Sequence, residues 1–122
     1  MKITVFLLAI SSSAQAYDGP DQARVLLMNA GYCKFAVSAR LLTTDAAELA
    51  TLDADRAKAT TDLEETAPAA IRSAAGSPEL EKAIKAFYAS ADAYCKSPTD
   101  AGKVDFTTKR TALEQLLTAA GR

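Results

Sequence analysis

Along most of the chain, apolar positions recur with a helical period. Val25, Met28, Tyr32, Phe35, Ala39 and Leu42 follow one another at 3-4-3-4-3 spacing, which sets them on one face of a first helix over about 20–43. Asp18 or Gly19 before Pro20 supplies its start, since proline is tolerated in a first turn. Gly31 lies inside it, costs about 1 kcal/mol relative to alanine, and leaves room for another helix to approach. A second helix over about 45–66 opens with Asp45-x-x-Glu48, a variant of the capping box. Its apolar positions, Leu49, Leu52, Ala59 and Leu63, are sparse, and Asp53, Asp55, Lys58 and Asp62 mark a solvated face. Ala67-Pro68 reads as a break.

Ser77-Pro78-Glu79 restarts the helical pattern with a good N-cap, a proline at N1 and an acid at the positive helix end. This third helix, over about 77–96, carries the strongest apolar face: Leu80, Ile84, Phe87, Tyr88, Ala91, Tyr94 and Cys95. Glu81 and Lys85 form an i,i+4 pair on its outside. A fourth helix over about 105–121 buries Phe106, Leu113, Leu116 and Leu117, with Gly121 at its end. Tyr32, Phe35, Phe87, Tyr88 and Tyr94 are expected to gather around the cysteines as core. Phe87 and Tyr88 cannot both face the centre, so Tyr88 is a candidate edge contact for a partner.

Composition sharpens this picture. The chain has 122 residues, 27 of them alanine, while isoleucine and valine together number 8, three of them in the first ten residues. So few isoleucines and valines, with aromatics at only 7%, exclude a β-sandwich or barrel. Histidine is absent, which removes histidine-based triads, His-ligated zinc or haem, and imidazole switching. No glycine-rich phosphate loop is present, and Asp53-x-Asp55 lacks the glycine and glutamate of a calcium loop. Basic residues are scattered and balanced by acids, 14 against 15, so nucleic-acid binding has no electrostatic footprint. No catalytic residue, metal site or cofactor is expected. Glu64 and Glu65 oppose the dipole at the end of the second helix and are candidate partner contacts.

Residues 1–16 read as a signal peptide. Lys2 is the positive n-region, Ile3 to Ile10 the apolar run, and Ala14-Gln15-Ala16 a cleavage site. Eight apolar residues are too few to span a bilayer, which needs roughly 20. The mature domain is then 17–122, exported to the periplasm or, alternatively, secreted outside the cell. Cys33 and Cys95 are the only cysteines, and export favours one disulfide between them, with free thiols or an intermolecular bridge as alternatives. That bridge discriminates between architectures. In a single hairpin of 20–66 against 77–121, the two cysteines would sit about 15 residues out of register, ~22 Å at 1.5 Å per residue. In an up-down-up-down four-helix bundle, helices one and three run parallel and the bridge closes within the ~7 Å that disulfide Cα atoms require. The expected fold is therefore all-α, a four-helix bundle stapled between helices 1 and 3.

Tyr32-Cys33-Lys34 matches Tyr94-Cys95-Lys96, and Leu42-Thr43-Thr44 matches Phe106-Thr107-Thr108. Two related hairpins would explain this, and so would chance among abundant residue types. The layout is similar, in size, compartment and cysteine number, to periplasmic acid-stress chaperones of the HdeA type, although the segment between the cysteines is longer and no motif matches. The resemblance implies an oligomer that opens when its carboxylates are protonated. The leading expectation is a non-enzymatic inhibitor, immunity or accessory protein that binds another periplasmic or secreted protein. Such a chaperone or structural protein is the alternative.

Overall fold

The computed structural model describes residues 19–121, and the side chains of 21–119; the signal-peptide reading of 1–16 lies outside that range. Four helices follow one another: α1 (Gly19–Arg40), α2 (Ala46–Ser73), α3 (Pro78–Lys96) and α4 (Asp100–Gly121), with no strand among the described residues. Asn29 meets Thr66 at 3.3 Å and Arg40 meets Asp53 at 2.8 Å, so numbers rise along α1 as they fall along α2. The two are antiparallel. Phe106 of α4 packs against both Phe87 and Tyr94 of α3, with ring centroids 5.4 and 5.6 Å away. The bridge between Cys33 and Cys95 ties α1 to α3 with Cα atoms 6.0 Å apart. No helix among the described residues is long and apolar enough to cross a membrane.

Local chemistry accounts for most boundaries. The Asp45 carboxylate accepts from the Glu48 amide at 2.9 Å and caps α2, while the Glu48 side chain turns to the Thr43 hydroxyl instead of completing the box. Ser77 caps α3 with Pro78 in its first turn, and Glu81 pairs with Lys85 at 2.9 Å. Three boundaries differ from expectation. Helix α2 continues through Pro68 to Ser73, because the extra turns bury Ala67, Ala70 and Ala74 in the core. That packing outweighs the one hydrogen bond Pro68 cannot donate. Helix α4 starts at Asp100, five residues early, because the Thr99 hydroxyl accepts from the Gly102 amide at 2.9 Å and caps it. The first helix ends at Arg40 rather than 43, in a turn through Leu41 and Leu42.

The core is two kinds of surface. Phe87, Phe106, Ile84, Leu113 and Leu117 of α3 and α4 form its bulky half. From α1 and α2 come mostly small side chains, Ala23, Ala30, Ala36, Ala59, Ala67 and Ala70, with Leu26 and Leu63. Alanine faces let helices approach closely but remove little apolar area from water. The tripeptide repeat does not carry over into environment. Tyr94 is buried while Tyr32 is 59% exposed, and residues 42–44 are a connection where 106–108 lie inside a helix.

With so little area on the α1–α2 side, the bridge should matter for stability. The 62-residue loop it closes corresponds to roughly 4 kcal/mol as an upper value on the chain-entropy model. Urea unfolding of Cys33→Ser/Cys95→Ser should show a loss of that order, and Phe87→Ala a loss of about 3–5 kcal/mol. Phe35→Ala, whose ring is exposed, should change stability by no more than about 0.5 kcal/mol.

Candidate functional site

The face of α1 expected to be core is the outward one. Val25, Met28, Tyr32, Phe35 and Leu42 are 37%, 50%, 59%, 69% and 87% exposed, and Leu41 beside them is 84% exposed. Inside lie Ala23, Leu26, Ala30, Cys33 and Ala36, with Leu27 and Val37 partly buried. The reason is rotational. The disulfide turns Cys33 inward, and residues three, four and seven positions away turn in with it. Tyr32 and Phe35 stand about 100° and 200° around the helix from Cys33, at 3.6 residues per turn, and so face away. The signal was present in the sequence: the cysteine's own register fixes which face is buried, whereas residue size alone favoured the wrong one.

This outward stripe borders a groove along the α1–α2 seam. One stretch, about 300 Å³, lies among Tyr32, Phe35 and Ala36 of α1 and Asp55, Lys58, Ala59 and Asp62 of α2. The next, about 460 Å³, lies among Ala39, Leu42 and Thr43 before α2 and Ala47, Glu48, Thr51 and Leu52 within it. The floor is apolar and the α2 wall is charged. Lys58 donates to Asp62 at 2.8 Å, which raises the Lys58 pKa. Beside the far end, the Arg40 guanidinium holds the Asp53 carboxyl below the usual carboxylate range and joins the end of α1 to α2. On the opposite edge of the stripe, a Cβ added to Gly31 would touch nothing. Among the described residues, no other helix uses the space that glycine leaves.

The earlier candidates separate. Glu64 and Tyr88 come together with Asp92 and Lys96: the Lys96 ammonium sits 2.8 Å from Glu64 and 3.1 Å from Asp92. Both carboxylates raise the Lys96 pKa, Glu64 most, and burial with two nearby acids raises the Tyr88 phenol. Tyr88 packs half-buried against the core. This cluster joins α2 to α3 and spends its charges internally. Glu65 is exposed and outside it, near enough to Lys58 to favour that lysine's charged form. Of the five aromatics expected around the disulfide, Phe87 and Tyr94 are buried, joined by Phe106; Tyr32 and Phe35 are not. No group of three or more metal-ligating side chains occurs among the described residues.

Compared with known proteins, the chain matches no family model, no curated protein and no solved structure.

Two outcomes follow from the site's charges and its glycine. Asp53 and Asp105 have lowered pKa values through Arg40 and Lys109, so their contribution is present above the unfolded carboxylate pKa and lost as pH falls. Lys58 and Lys96 are raised, so theirs is present below the unfolded lysine pKa and lost only in strong alkali. Melting temperature should be flat from about pH 5 to 9 and decline below about pH 4; a step between pH 5.5 and 7.5 would contradict this account. Separately, Gly31→Ala should stabilise the free protein by about 0.5–1 kcal/mol in urea titration.

Proposed function

We propose that this chain is an exported, non-enzymatic accessory protein that binds a helix of another periplasmic or secreted protein along the outward face of α1. The observation that carries the reading is the continuous exposed stripe Val25–Met28–Tyr32–Phe35–Leu42 beside an apolar groove. Scattered exposed apolar residues are ordinary, but a contiguous large patch on a small domain marks a contact surface. Apolar anchors at helical spacing suit the helix-in-groove mode of recognition. Aromatic and methionine side chains, here Tyr32, Phe35 and Met28, are the types enriched where partners meet. Export is supported by the leader pattern in the sequence and by the intramolecular disulfide, a bond that persists in oxidising compartments. The periplasm is the compartment proposed, with secretion beyond the cell as the alternative.

A second reading, an acid-stress chaperone, draws support from one feature. The ion pair between Arg40 and Asp53 lies at the end of α1 beside Leu41 and Leu42, and protonating Asp53 would loosen that corner and extend the apolar surface. It requires oligomer opening or client binding near pH 3, whereas the leading reading requires binding at neutral pH.

A photo-crosslinking residue placed at position 35 in the exported protein should capture one predominant partner at neutral pH, and one at exposed Glu79 should not. Phe35→Ser combined with Tyr32→Ser should abolish co-purification of that partner while shifting Tm by no more than about 2 °C. Undiminished co-purification would refute the assignment of this surface.

A further inference from the structure

The α2 wall of the groove carries a charge pattern of its own. Glu48, Asp55 and Asp62 are spaced seven residues apart and all line it. Seven residues is two helical turns, so the three carboxylates form a rail ~21 Å long at 1.5 Å per residue. The stripe on α1 repeats with the same period: Val25, Tyr32 and Ala39 alternate with Met28, Phe35 and Leu42. A two-position apolar seam repeating every seven residues is the pattern by which one helix receives another, with charges at the flanking positions choosing the partner. Lys58 neutralises part of the rail through Asp62, and its net charge remains acidic.

We infer that the occupant is an amphipathic α-helix of a partner protein, with an apolar seam in heptad spacing and a lysine or arginine at every seventh position along one edge, facing Glu48, Asp55 and Asp62. The inference rests on the docking face proposed above and adds the chemistry of its partner. A second copy of α1 would fill the role poorly. Its matching edge positions are Arg24, Gly31 and Ser38, which offer one cation for three carboxylates. Gly31, half-buried and with open space where a Cβ would stand among the described residues, admits the partner's backbone close to α1. A glycine that weakens its own helix without an internal reason is the kind of local violation that accompanies a contact made elsewhere.

The test uses the disulfide-bonded mature protein and two synthetic three-heptad helices with the same leucine seam, one edged with lysine every seventh residue and one with glutamate. Fluorescence anisotropy at low salt should show the lysine-edged helix binding about tenfold more tightly, the effect of three exposed ion pairs. That preference should collapse in 0.5 M salt, where screening is short-ranged, on the order of 4 Å. Asp55→Asn/Asp62→Asn should cut the preference to about twofold, and Phe35→Ser should abolish binding of both helices. Equal affinity for the two helices, still lost in Phe35→Ser, would overturn the charged rail and leave the docking face standing. Binding indifferent to Phe35→Ser would overturn both, as would a wild-type dimer that Phe35→Ser converts to monomer.

Discussion

The bridge between Cys33 and Cys95 decides how α1 is rotated, and that rotation decides what the molecule shows to solvent. With Cys33 turned toward α3, alanines and Leu26 face α2 and α3, while Tyr32 and Phe35 face outward. Rotating α1 by half a turn would bury the larger residues but carry the sulfur beyond bonding distance, since disulfide geometry tolerates only a narrow Cα separation. The covalent constraint therefore overrides the hydrophobic preference of a single helix. It also ties the thinly packed α1–α2 pair to the bulky α3–α4 pair, where Phe106 meets Phe87 edge-on and Tyr94 at a tilt.

The architecture was legible from three kinds of signal. Capping residues located α2 and α3: Asp45 and Ser77 both accept from the amides their positions imply. The spacing of the cysteines excluded a long hairpin, and four helices with the bridge between the first and third are what the structure contains. Glu81 and Lys85 pair as their spacing implies. Errors arose where two local rules competed. Pro68 reads as a stop by backbone chemistry, yet Ala67, Ala70 and Ala74 provide enough contact to carry the helix past it. At the start of α4, Pro98 and Gly102 signal a loop by backbone chemistry, yet the Thr99 hydroxyl caps the helix between them.

The candidate surface was harder to read, for a physical reason. Helix α1 is apolar on nearly every side, so periodicity identifies two possible buried faces and cannot rank them by hydrophobicity alone. Size favoured the face with Tyr32 and Phe35; packing against an alanine-rich α2 requires the small one. Ala59, Ala67 and Ala70 are buried on α2 as Ala23, Ala30 and Ala36 are on α1, and faces this small let Asn29 reach Thr66 across the seam. Glu64, singled out by its place at a helix end, pairs across the seam with Lys96 and so links α2 to α3, with Tyr88 nearby on α3.

These features combine into a division of labour between the two helix pairs. The α3–α4 pair keeps its aromatic bulk inside and supplies most of the large buried side chains. The α1–α2 pair keeps its bulk outside, and it stays folded because a covalent bond and close alanine contacts hold it to the rest. Large side chains left in water add nothing to the stability of the free chain, and Gly31 subtracts from it. A helix arranged this way gives up folding energy along one face over more than four turns. That arrangement becomes favourable once a second helix covers the face, because the apolar area absent from the core is then removed from water at the interface.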